Sequence, residues 1–353
     1  MKKILLFAAV LFIFAASAYA GEMTLLKRTI VVQPKRFLRY WKSPKAAEPV
    51  YNTYCWVPTI SFDVLGPISG ESKLIVEFDM PDGKPWMTIK MRTPSLEDDV
   101  FESVRSDDPD ESVIEKQAIL SEGIFPFRIK LKNALEGTEK VLFSGKIKVG
   151  TFLLDQAIPE YKGKKEFFVD YDWHLPVGYI WLNPVTDADV PPLSTLVCLR
   201  GKLNSDKLEA FLFYNGKQVA KASGIGGEKQ IMTTAADEPS HRWTMWQFDF
   251  SSVRGFNHDV SASTYPGMFY LDKNPGAYEI KILRENQPSR LINFSVGKDG
   301  KIVDNGFAKS AQLGGVRYIV PAKIQGTLDG QINASAWQTE ALFGNPLAGF
   351  VVQ

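Results

Sequence analysis

The sequence predicts an all-β chain, built as two tandem β-sandwich domains from an internal duplication, with N- and C-terminal extensions. Three observations lead there. Apolar and polar residues alternate over short runs rich in β-branched and aromatic residues, bounded by turn residues. Several segments recur in the same order along the chain. Asp82-Gly83 and Asn215-Gly216 mark hairpins at matching places in the two copies, because such pairs tolerate the positive φ of a tight turn. The expected organisation is a leader at 1–20, a basic arm and linker at 21–49, a first sandwich at 50–150, a linker at 151–172, a second sandwich at 173–305 and a tail at 306–353.

The duplication rests on four collinear matches. The run Lys73 to Lys84 resembles Lys207 to Lys217, and Phe101 to Arg105 matches Phe250 to Arg254. Phe127 to Leu131 matches Tyr278 to Ile282, and Phe143-Ser144 matches Phe294-Ser295. The growing offset requires one insertion in the second copy before Phe250. Within each copy, Phe127, Ile129 and Leu131, and later Tyr278, Ile280 and Ile282, alternate with polar residues, which sets one face inward.

The N-terminus reads as an export signal. Lys2 and Lys3 precede an apolar run from Ile4 to Ala16, and Ala18-Tyr19-Ala20 offers a cleavage site before Gly21. That run has 13 residues, below the roughly 20 a membrane span needs. The expected location is therefore exported: periplasmic, cell-surface or secreted. Losing two lysines leaves 39 basic residues against 40 acidic ones, a net charge of −1, which argues against a nucleic-acid partner. The eight Trp and 23 Phe supply two sizeable cores.

Cys55 and Cys198 do not occupy equivalent positions in the two copies. Either they join the halves in one disulfide, or they are two buried thiols. No Cys/His spacing suggests a metal or a haem, and no cofactor is expected.

The segment Asn274 to Lys281 resembles the late strand of bacterial immunoglobulin-like and fibronectin-like domains, in which a Gly turn precedes a Tyr whose hydroxyl caps the corner. Tyr278 would be that residue. The first copy has Gly123 and places Phe127 there. The resemblance implies a superfold and no particular function.

Three regions invite functional readings. Residues 24–47 carry Lys27, Arg28, Lys35, Arg36, Arg39, Lys42 and Lys45 without an acid; this is an arm for an anionic surface or, the preferred reading, a strand and solvated linker. Residues 97–111 hold eight acids and read as a solvated loop rather than a calcium site. In Arg242 to Phe250, the side chains of Trp246, Phe248 and Phe250 share a strand face, with Trp243 and Met245 on the other. If the first face is core, Trp243 is exposed and able to stack on a sugar or anchor a partner, unless the insertion covers it.

In the tail, Asp329-Gly330 and Ala336-Trp337 resemble the opening of family 9 carbohydrate-binding modules, over about a dozen residues. Trp243, Trp246 and Trp337 are accordingly the candidate ligand-binding residues. A detachable strand adding to a neighbouring subunit is another reading of the tail.

No catalytic residue is expected. The three histidines show no metal spacing, and neither a nucleophile elbow nor a phosphate-binding Gly loop is present. The leading expectation is a non-catalytic exported protein of adhesion, scaffolding or surface assembly, self-associating through its tail. The alternatives are a carbohydrate-binding protein acting on cell-surface polysaccharide, and a periplasmic chaperone.

Overall fold

The computed structural model describes residues 23–41, 50–66, 72–92, 101–106, 116–133, 135–182, 192–203, 205–231, 241–255, 267–307 and 317–333. The leader, Trp337 and most of the acidic stretch at 97–111 lie outside the described residues, apart from 101–106, which form a strand. Among the described residues no helix is long and apolar enough to cross a membrane.

The chain is nearly all strand. The first sheet uses β1 (Thr24–Trp41), β2 (Val50–Leu65), β3 (Ser72–Asp79), β4 (Pro85–Arg92), β5 (Phe101–Ser106), β6 (Gly123–Asn133), β7 (Thr138–Leu153) and β8 (Lys165–Val169). The second uses β9 (Val177–Leu182), β10 (Pro192–Arg200), β11 (Leu208–Tyr214), β12 (Lys217–Lys221), β13 (Gly224–Ile231), β14 (Trp243–Arg254), β15 (Phe269–Tyr270), β16 (Gly276–Arg284), β17 (Gln287–Val296) and β18 (Arg317–Ile324).

The orders are β1-β2-β5-β4-β3-β6-β7-β8 and β12-β11-β16-β17-β18-β9-β10-β14-β13. Setting aside β13 and β15, the second copy's strands can be counted from its own start. The first order is then 1-2-5-4-3-6-7-8 and the second 4-3-6-7-8-1-2-5. These are the same closed cycle, opened at different seams. In the first copy β4 and β5 pair at Met91 and Arg92. In the second copy the layers join through β17 and β18, at Arg290 to Ile292. The basic arm is thus the first strand of its sandwich, and the tail supplies the eighth strand of the other. The insertion supplies β13, which pairs with β14.

Strand pairing also corrects the sequence match by one inward step. Phe78 lies opposite Phe127, and Leu212 lies opposite Ile280. Phe127 therefore corresponds to Ile280, and Phe125 to Tyr278. Gly123 and Gly276 then fall together, with φ of +140° and +139°, which only glycine adopts readily. The Tyr278 hydroxyl donates to the Asn274 carbonyl, forming the corner expected in the second copy. Phe125 has no hydroxyl to do so.

Alternation fills two cores. The first holds Trp56, Phe62, Phe78, Phe125 and Phe127, with Trp56 meeting Trp86 and Phe125 edge-on at 5.1 Å. The second holds Trp246, Phe248, Phe250, Tyr278, Ile280 and Ile282. The first core does not stop at its own sheet. It runs on through Tyr171, Trp173, Leu175 and Tyr179 to Cys198, Trp243 and Met245 of the second. Residues 169–181 between the sandwiches are all buried. The Tyr171 hydroxyl donates to the Val32 carbonyl at 2.7 Å and accepts from the Val32 N–H at 2.9 Å, tying this connection to β1.

One ionic cluster fastens the second sandwich. Arg290 is 0% exposed. Its guanidinium donates to Asp329 at 2.5 Å, to the Cys198 carbonyl at 3.0 Å and to the Leu175 carbonyl at 3.2 Å. The other Asp329 oxygen accepts from the Arg200 N–H at 2.9 Å and from Arg284 at 3.2 Å. Removing one partner of such a pair strands a buried charge. Asp329→Ala should therefore cost about 3–5 kcal/mol, read as a lowered urea midpoint; an unchanged midpoint would show that the cluster is not needed.

Candidate functional site

The junction between the sandwiches opens into a cavity of about 240 Å³. Its principal walls are Lys148, Phe168, Asp170, Arg200, His241 and Asn333. The strand period places them there. In β8, Phe167 and Val169 point into the first core, so Phe168 points out and Asp170 follows at the strand end. Phe168 pairs opposite Gly150, and a Cβ on Gly150 would come within 2.7 Å of its ring. The glycine thus lets Phe168 lie flat across β7. Trp243 stacks beside it at 5.9 Å, and His241 lies 4.2 Å from it and parallel to Phe152 at 4.8 Å.

The two carboxylates are held by the frame. One Asp172 oxygen accepts the Trp243 indole N–H at 2.9 Å; the other accepts the Asn333 N–H at 2.5 Å and faces Arg200 at 3.6 Å. Asp170 accepts the Asp172 N–H at 2.9 Å and the Asn333 side-chain amide at 2.8 Å, with Lys148 at 3.7 Å. Burial, and then the neighbouring Asp170, raise the Asp172 pKa above the usual aspartate range, against the opposing pull of the Asn333 N–H, Arg200 and the Trp243 N–H. These acids staple the tail to the junction. Among the described residues no group of three or more His, Cys, Asp or Glu side chains could hold a metal ion.

Of the sequence-derived candidates, Trp243 and Trp246 lie on opposite faces of β14, and Trp337 lies outside the described residues. Trp246 lies in the second core. Trp243 does occupy the opposite face of β14, as its alternation requires, but it is 1% exposed. The reading in which Trp243 is exposed is corrected: the first sandwich and the connection, through Phe168 and Tyr171, pack on that face. Asp329 of the carbohydrate-module resemblance serves the arginine cluster, and Gly330, at φ +71°, closes a turn onto the Thr327 carbonyl. Cys55 and Cys198 are buried thiols and form no bridge; Cys55 faces the Phe37 carbonyl, and Cys198 sits at the inter-sandwich face. In the basic arm, Arg36 stacks over Tyr54 at 4.5 Å and pairs with Glu166. The tail segment 317–324 is built into the second sheet as β18, between β17 and β9, and residues 334–353 of the tail lie outside the described residues.

Sequence reasoning missed Phe168, Asp170, Asp172 and His241. A signal was present. The run Asp170 to His174, which straddles the expected linker boundary at 172, is rich in aromatic residues and so suits a buried connection.

No protein-family model matches the chain, and no curated protein is similar to it in sequence.

Two outcomes follow from this geometry. Trp243→Ala should lose about 3–5 kcal/mol of stability, the cost of deleting a buried aromatic ring, measured by denaturant titration. A raised folded-state pKa for Asp172 means that its contribution to stability is full below the unfolded aspartate value and is lost as pH rises through the folded one. The stability of the native chain relative to Asp172→Asn should therefore be greatest in acid and shrink toward neutral pH. A difference independent of pH would contradict the raised value.

Proposed function

We propose that the protein is an exported, non-catalytic binding protein of the adhesion or scaffolding kind, and that it meets its ligand at the junction cleft. The observation that carries this reading is the division of labour in the cleft. Its carboxylates are engaged by the frame, whereas Phe168 and His241 remain half-buried at its wall. A pair of acids poised for proton transfer would keep oxygens directed at a substrate. Here those oxygens hold Trp243 and Asn333 instead. A buried connection between the sandwiches suits a ligand site too, because it fixes both walls before anything binds.

Carbohydrate is the ligand class this arrangement favours. Sugar rings present an apolar face that stacks on aromatic side chains, and hydroxyls that pair with carboxylates, amides and guanidinium groups.

A pelleting assay tests the reading. Residues 21–353 should sediment with an insoluble cell-surface polysaccharide, and His241→Ala, with unchanged melting, should stay largely in the supernatant. Equal sedimentation of both forms would remove the cleft from the binding event. Sedimentation of the protein alone would point to self-association instead.

A further inference from the structure

We infer that the junction cleft takes a single uncharged sugar ring; this rests on the cleft being the binding site. Three features of the cleft lead to this ligand.

The first is charge. Lys148 and Arg200 are matched within the wall by Asp170 at 3.7 Å and Asp172 at 3.6 Å. A carboxylated or phosphorylated ligand would be repelled by the aspartates, and a cationic one by Lys148 and Arg200. Either ion would also lose its hydration without gaining an unshared counter-charge. A neutral polyol suffers neither penalty. It can donate to the second lone pair that each frame-bound carboxylate oxygen keeps, and accept from the lysine and guanidinium N–H groups.

The second is shape. Phe168, held flat by Gly150, and His241, braced against Phe152, form a half-buried aromatic wall beside those polar groups. Asp170 and Asn333 line the same cavity as these rings. The opposed arrangement of an apolar face and a polar edge is the one a pyranose offers.

The third is size. A cavity of about 240 Å³ lies below the roughly 300–1,000 Å³ of sites for larger organic ligands. It accommodates one ring rather than a run of several. The ligand is therefore recognised ring by ring, through a terminal or side-branch residue of a longer glycan.

Amide NMR of deuterated residues 21–353 tests this, using neutral hexoses, the corresponding uronic acids and amino sugars, and small aromatic amines as separate probes. Neutral hexoses should shift the amides of Phe168, His241 and Asn333. Dissociation constants should rise about tenfold in His241→Ala, as for loss of one stacking contact, while the melting midpoint is retained. Preference for the charged sugars or for the amines at the same amides would overturn the neutral-ring inference and leave the cleft as the site. Sugar-induced shifts elsewhere, or no shifts from any probe at the cleft, would overturn both.

Discussion

The second sandwich depends on a guanidinium with no access to water. Arg290 reaches the connection between the sandwiches at Leu175, strand β10 at Cys198 and the tail at Asp329. These are three stretches of chain far apart in sequence. Dehydrating a guanidinium is expensive, and the expense is offset only where every N–H finds an acceptor. Carbonyls supply most of them and one carboxylate supplies the charge. Arg284 lies against the same carboxylate and donates to the carbonyls of Arg200 and Leu328. Arg200 then carries the arrangement outward. Its N–H is bonded to Asp329, while its guanidinium faces Asp172 and lies over Trp243 at 5.4 Å. The cleft wall is therefore continuous with the core of the fold.

The same continuity explains β14. A strand in an outer sheet of a sandwich ordinarily buries one face. This one buries both, Trp246, Phe248 and Phe250 toward its own partner sheet and Trp243 and Met245 toward the first sandwich. The two sandwiches thus share an apolar interior, and the aromatic wall of the cleft is the rim of that shared interior where it reaches solvent.

Much of this was legible in sequence, and the remainder was hidden for physical reasons. The period-two alternation of residues 243–250 assigned both faces of β14 correctly, because side-chain direction in a strand is local. What covers a face is not local, so the sequence leaves open whether Trp243 meets solvent or a covering segment. The duplication was legible from four short matches, yet pairing shows that Phe125 and not Phe127 corresponds to Tyr278. A two-residue slip keeps every side chain on its face and so leaves hydropathy unchanged. Asp329-Gly330 drew attention as a motif, but an Asp before a Gly turn is equally what an arginine cluster needs at the end of a tail. The roles of Asp170 and Asp172 depend on Asn333, more than 160 residues away in sequence.

The position of β18 has a kinetic consequence. This strand lies between β17 and β9, and Asp329 follows it. A chain that emerges N-terminus first presents β9 long before the strand that separates it from β17. Until then the two flanking strands carry unsatisfied edges, and the Arg290 guanidinium has no counter-charge. Pairings of such long sequence separation form slowly, because loop closure is costly before contacts repay it. The second sandwich must therefore be completed late and from its C-terminal side, and a chain arrested before residue 317 would present open strand edges to whatever is nearby.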